Sequence, residues 1–440
     1  MAAAGSAVGL GNIWRFPYLT GENGGAAFVF IYFFCVILVG VPMLINEIAI
    51  GRLTGKNPVG AFRSMGADRM WSFLGGVLPL LVTFVVLSYY STIAGWTVGY
   101  IYSSLFSIQM SFSEFISTPS YVLPLGAFVL LVTTFIVLGG VSGGIERATK
   151  ILMPALFLIL VVIVIRSVSL PGASAGVSYY LVPDFSKING GVMLDALTQV
   201  FFSLGIGWGM MITYGSYLSK KQNIVSSGLW VGTMDTSVAL LAGLMVFPAV
   251  FAFGGEVNQG PTLVFNVLAN IFPEMPMGNI IGALFFLLLF FAAITSTISM
   301  LEAPSAYFID NKKWSRKKAA WTVAILAFLT GIPSALSTGG SEFFTNFSIN
   351  VFGTEIRSFM DVLDHVFGKL LMMLVVLVTC IYTGWLMDTR KVVDEIAQGA
   401  EGFKTRRMLG TTPDQIWLFL IRFICPAVII LVILGMLGLF

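Results

Sequence analysis

Charge is scarce in this chain. Aspartate, glutamate, lysine and arginine make up 10% of its 440 residues, against 57% hydrophobic ones. Soluble domains carry roughly a quarter of their residues charged, so the composition reads as a polytopic protein embedded in a lipid bilayer. Histidine is scarcer still. The one copy, His365, excludes a histidine metal cluster and leaves little for histidine-based catalysis. The three cysteines, Cys35, Cys380 and Cys425, all fall inside apolar runs, where they read as small core residues without disulfide or metal spacing. No basic stretch follows Met1, so no cleavable signal peptide is expected. Without a nucleophile–base pair, a metal constellation or an organic-cofactor motif, the chain does not read as an enzyme. Its net charge of +3 says little about partners, and no nucleic-acid partner is expected.

What the chain has in abundance is apolar runs. Runs able to span a bilayer, which takes about 20 residues, recur eleven times if two interrupted ones are counted. They fall at about 1–19, 24–50, 71–106, 121–140, 147–168, 193–217, 223–254, 277–309, 317–336, 361–387 and 413–439. Eighteen lysines and arginines sit in alternate connections, while only Arg166, Lys187 and Arg357 sit in the others. Cytoplasmic loops hold the positive excess, which predicts an inner (plasma) membrane protein with its N-terminus inside and its C-terminus outside. The stretches Ser337–Glu342 (STGGSE) and Gln398–Thr412 read as an outer and an inner loop, not as linkers. One membrane domain, 1–440, is expected.

Two spans are poor helices. The first contains SAVGLGNIWRFP (Ser6–Pro17), with Gly9 and Gly11 flanking a single residue. Each glycine costs a helix about 1 kcal/mol against alanine, so local unwinding is favoured. Unwound backbone survives in lipid only where it is buried in protein or lines a cavity. Close packing of helices on small residues is the simpler alternative. The sixth span tips the choice, because Phe201–Gly209 reads FFSLGIGWG. Paired interruptions at corresponding places in two groups of five spans point to a transporter site at mid-membrane. A broken helix offers free amide groups to a carboxylate at one half-helix end and free carbonyls to a cation at the other.

The motif GSAVGLGNIWRFPY (Gly5–Tyr18) followed by ENGG (Glu22–Gly25), with SYYSTIAGW (Ser88–Trp96), FFSLGIGWG and FFAAITST (Phe290–Thr297), resembles the neurotransmitter:sodium symporter family. The likeness is to its bacterial amino-acid transporters and runs along essentially the whole chain. It implies an all-α membrane fold of two inverted five-helix repeats, about 1–168 and 193–387, with helices 1 and 6 broken. Helix 11, about 413–439, lies outside the repeats, where many relatives have twelve helices.

The resemblance also implies sites. A first sodium ion would meet Ala7, Asn12, Ser203 and Asp235; a second would meet Gly5, Val8, Ala292, Thr295 and Ser296. Without the resemblance, Thr295 and Ser296 read as polar contacts between helices. Asp235 is an acid at membrane depth and so a functional residue by default, unless it lies near the inner surface and is solvated. Relatives that carry a neutral residue there bind chloride, and Tyr32, Gln199 and Ser203 match that pocket. The substrate would lie among Ala7, Gly9, Leu10, Gly11, Val86, Tyr90, Phe202, Ser203, Gly205, Trp208, Ser296 and Met300. Amine transporters place an Asp where Gly9 stands, so a substrate bringing its own carboxylate, a neutral hydrophobic or aromatic amino acid, is expected. Arg15 and Asp364 resemble an outer ion-pair gate, Tyr217 and Asp310 match inner-gate positions, and Glu47 is expected to satisfy amides of the broken helices. Relatives begin with a cytoplasmic segment that closes the inner gate; only Met1–Ala4 precede Gly5 here, so that gate is expected to be incomplete. The function expected is chloride-independent, sodium-coupled amino-acid symport by alternating access. A membrane sensor that binds the same amino acid without moving it is the alternative.

Overall fold

A computed structural model describes residues 2–108, 110–258, 263–351, 354–407 and 410–439; Met1, at the head of the first expected span, lies outside the described residues. In lipid a chain must satisfy its own backbone hydrogen bonds, and each apolar run accordingly forms a helix. Among the described residues nine are long rods: α2 (Ala26–Thr54), α3 (Arg69–Phe106), α4 (Pro119–Leu138), α5 (Val141–Val168), α7 (Ile224–Ala252), α8 (Gly278–Lys312), α9 (Arg316–Leu336), α10 (Phe359–Leu386) and α11 (Pro413–Met436). The other two are broken. Helix α1 is Ala2–Ala7, a kink at Val8 and Gly9, then 10–22. Helix α6 is Gly190–Leu204 and Met210–Ser216, joined by the unwound residues 205–209.

Polar residues at the ends of the apolar runs start the helices. Asp68 accepts from the Trp71 amide at 2.9 Å before α3, Asn189 from Val192 at 3.1 Å before α6, and Asn223 from Ser226 at 2.9 Å before α7. Each satisfies one of the amides that a helix start leaves unpaired.

Helices α7 and α8 are the inner rods: two-thirds (67%) of the most apolar window of each is buried, against 28% for α5 and 33% for α11, which face lipid. At 35 residues, α8 is about 52 Å long, longer than the membrane core, and it packs extensively along α3.

Several connections hold structure that the sequence reading left as loop, two of them beyond α9. Between α9 and α10 lie a short helix, Glu342–Thr345, and an antiparallel hairpin, β1 (Ser348–Val351) with β2 (Thr354–Arg357), Ser348 facing Arg357. Strands of four residues leave too little alternation to be read from one sequence. Between α10 and α11 the helix Thr389–Ala397 buries Val392, Val393 and Ile396. It carries Glu395, which pairs with Arg52 of α2 and with Lys220 after α6, each at 2.7 Å.

Candidate functional site

The two helix breaks meet α3, α7 and α8 at the centre of the bundle. In α6 the unwinding rests on Gly205, Gly207 and Gly209, whose φ angles of 64°, 85° and 70° are left-handed and favour glycine. The Gly207 amide, freed from the helix, donates to Glu47 Oε1 of α2 at 2.8 Å. In α1 the Leu10 amide donates to Tyr90 Oη of α3 at 3.1 Å, and the Gly9 amide to Asn12 Oδ1 at 2.9 Å. A Cβ at Gly9 would stand 2.2 Å from Ser296 Oγ, so Ser296 would have to turn away.

Asn12, Ser203 and Asp235 form one cluster, fully or almost fully buried. Asn12 Nδ2 donates to Asp235 Oδ1 at 2.6 Å, to Ser203 Oγ at 2.9 Å and to the Asp235 carbonyl at 3.0 Å. Ser203 Oγ donates to Asp235 Oδ1 at 2.8 Å, and Tyr32 Oη to Oδ2 at 3.1 Å. A solvated Asp235 near the inner surface is thereby excluded. The Asn12 nitrogen stands among three oxygens, where a donor or a cation fits. For a cation the carboxamide must turn its oxygen inward. Gln199, expected beside Tyr32 and Ser203, faces away: it donates to the Gly11 carbonyl at 2.8 Å and accepts from Arg15 at 3.0 Å.

A second cluster lies where α8 crosses the break of α1. Thr295 Oγ1 lies 2.9 Å from the Val8 carbonyl, 2.9 Å from that of Ala292 and 3.2 Å from that of Phe291. One hydroxyl proton cannot satisfy three carbonyls, so oxygens with spare lone pairs converge here. Hard oxygen donors of this kind suit a hard cation. Among the hydrogen bonds of the described residues, neither Gly5 nor the Ser296 hydroxyl joins this group; Ser296 faces Gly9 instead.

Ten of the twelve substrate positions read from the sequence line one cavity of about 20 Å³: Ala7, Gly9, Gly11, Tyr90, Phe202, Ser203, Gly205, Trp208, Ser296 and Met300. Ser6 and Met210 complete it. Leu10 and Val86 are not part of the lining; both are fully buried, Leu10 reaching the site only through its amide. A space of that size holds about one water, so the site as seen is contracted and must widen for an amino acid. Trp208 stands edge-on to Phe202, ring centres 5.3 Å apart. The Arg15 guanidinium lies over the Phe202 ring, 4.6 Å from its centre.

The expected gate residues have other partners in this structure. Arg15 makes no ion pair with Asp364; it bonds Gln199, and Asp364 is held by Lys369 at 3.4 Å and Tyr89 Oη at 2.9 Å. Tyr217 does not meet Asp310. Its hydroxyl donates to Glu302 Oε1 at 2.8 Å, and Arg316 grips the same carboxylate at 2.6 and 3.1 Å. Asp310 instead accepts from Asn57 at 2.9 Å. Glu302, fully buried in α8, is one residue the sequence reading passed over. An acid inside an apolar run was the signal for it.

A family model, the sodium:neurotransmitter symporter family, matches residues 1–115 and 107–438. YhdH, an uncharacterized sodium-dependent transporter of Bacillus subtilis, is 38% identical over 100% of this chain and 96% of its own length. A sodium-dependent serotonin transporter of Drosophila melanogaster is 26% identical over 97% and 73%. The crystal structure of MhsT in complex with L-phenylalanine matches with a TM-score of 0.88 at 38% identity, covering 99% of this chain and 97% of MhsT. With two broken helices at matching places, a buried oxygen cluster at each crossing and relatives of this kind along its whole length, the chain is a sodium-dependent membrane symporter, not an enzyme, and belongs to the sodium:neurotransmitter symporter family.

Proposed function

We propose that the protein carries a neutral amino acid with an apolar or aromatic side chain inward across the plasma membrane with sodium, by alternating access and without chloride. The observation that carries this reading is the lining of the central cavity. It combines Tyr90 and the opened backbone of α1 at one side with Phe202, Trp208, Met210 and Met300, and no charged side chain. A carboxylate fits the first group and an uncharged side chain the second. The ammonium of a biogenic amine would find no acid at Gly9, where a side chain would need Ser296 to turn away. That MhsT binds L-phenylalanine supports an aromatic substrate here.

Two oxygen clusters fit two sodium ions. Each ion moving inward gains about 2.3 kcal/mol per 100 mV and about 1.4 kcal/mol per tenfold gradient. Two supply roughly 7 kcal/mol, enough for about 10⁵-fold accumulation. The chain acts as one membrane domain, its N-terminus in the cytoplasm and its C-terminus outside. The test is uptake of a radiolabelled amino-acid panel into proteoliposomes, with and without a sodium gradient. Sodium-dependent uptake of phenylalanine, tryptophan or leucine is expected, and tryptamine should not compete. Equal competition by tryptamine and tryptophan overturns the carboxylate argument. Tight binding with no uptake overturns transport in favour of a sensor.

A further inference from the structure

The outer part of α10 is not an α-helix. Residues Asp364–Leu371 form a π-helix, in which bonds run from residue i to i+5 and side chains five apart share a face. Lys369 is therefore brought over Asp364, its Nζ 3.4 Å from Oδ2, with both side chains about one-third exposed (33% and 30%). Tyr89 Oη of α3 donates to the other carboxylate oxygen at 2.9 Å. Gly368 makes this possible: a Cβ there would stand 2.7 Å from both Asp364 Oδ1 and Tyr89 Oη. Arg15, across the mouth, is engaged with Gln199 and Phe202.

We infer that Lys369 is a positioning residue of the outer gate. It neutralises and orients Asp364 while Arg15 is engaged elsewhere, and yields it to Arg15 as the mouth closes over substrate. The reason is electrostatic. A carboxylate partly withdrawn from water is costly without a partner, so a gate with one cation would open onto a bare charge. Lys369 removes that cost from the state in which Arg15 is away, and Tyr89 keeps the carboxylate aimed across the mouth in both states. Removing the Lys369 charge should thus favour the Arg15–Asp364 pair and bias the mouth shut. The role in transport rests on the symport reading above; the placement of Asp364 does not.

The test uses spin labels at Glu22 and Phe343, both exposed, near the outer end of α1 and in the α9–α10 connection. Distance distributions are recorded in sodium without any amino acid. Lys369→Met should shift the population toward the shorter distance by about threefold or more. Tyr89→Phe should shift it the same way by less, and Lys369→Arg should restore the original distribution. In an Arg15→Ala background Lys369→Met should shift nothing, because no competitor for Asp364 remains. An unchanged distribution in Lys369→Met, or a shift of equal size with Arg15→Ala, overturns the inference. In transport, Lys369→Met should raise KM about threefold or more with kcat nearly unchanged. If the wild type takes up no amino acid, the proposed function fails, while the distance measurement still decides the role of Lys369.

Discussion

The two oxygen clusters are built from different materials. The one at Asn12, Ser203 and Asp235 is made mostly of side chains and includes a carboxylate; the one at Val8, Phe291, Ala292 and Thr295 is made of three carbonyls and a hydroxyl and includes none. A cation in the first is balanced by a buried carboxylate, while a cation in the second is held by dipoles alone. Charge placed near the substrate pocket can respond to what the pocket holds, because a substrate carboxylate and Asp235 would share one cation. The second cluster, at the crossing of α1 and α8, suits the task of holding two helices in register.

The largest test of this contrast is Asp235→Ala. Removing one member of a buried charge pair costs about 3–5 kcal/mol, so initial-rate uptake should fall by about 100-fold or more. Uptake near the wild-type rate would show that the first cluster holds no ion. Asp235→Asn should come next: it keeps an oxygen but loses the charge. Its uptake should be low in gluconate medium and partly recovered in chloride, with Tyr32 and Ser203 freed to bind the anion. Wild-type uptake should be indifferent to chloride, and a collapse in gluconate would refute Asp235 as the internal countercharge.

Thr295→Val removes one neutral oxygen of the second cluster. A hydrogen-bond-sized contribution of about 1–1.5 kcal/mol predicts a roughly tenfold rise in the sodium concentration for half-maximal uptake, with Thr295→Ser near normal. A Val variant with unaltered sodium dependence removes Thr295 from the ion site. Smallest of all, Tyr32→Phe strips the donor from Asp235 Oδ2, the oxygen turned away from Asn12. Loss of about 1 kcal/mol should lower the melting temperature by about 1–3 °C in detergent, with sodium affinity nearly unchanged. A large loss of sodium affinity would place Oδ2, and not Oδ1, against the ion.

The same contrast explains what was legible in the sequence. Asn12 and Asp235 announce themselves, because amide and acid side chains in an apolar run demand a reason. Val8 and Ala292 cannot, since a carbonyl donor leaves no trace in residue type; only the motif resemblance named them. The breaks of α1 and α6 were visible as paired glycines. The partners of Arg15, Asp364, Tyr217 and Asp310 were not, because each depends on which rotamer wins among several charges across the bundle. Lys369 was hidden for a different reason: α-helical spacing puts residue 368 over Asp364, and only a π-turn brings 369 there. The hairpin after α9 was too short to signal.

One rod links much of this machinery. Helix α8 carries Ala292 and Thr295 at an oxygen cluster, Met300 at the cavity, Glu302 at the grip on Arg316 and Asp310 near its C-terminal end. From Ala292 to Asp310 is about 27 Å of helix. As a lever pivoting at the oxygen cluster, it would swing Asp310 by about 5 Å for a tilt of about 10°, given that length. The lever also has an elbow. Pro304 sits inside α8, and its ring nitrogen cannot bond the Met300 carbonyl one turn back. The arm is therefore stiff from the oxygen cluster to the substrate pocket and compliant just beyond it. Motion started at the pocket reaches the C-terminal end of α8 through a bend that costs no hydrogen bond, because that bond is already missing.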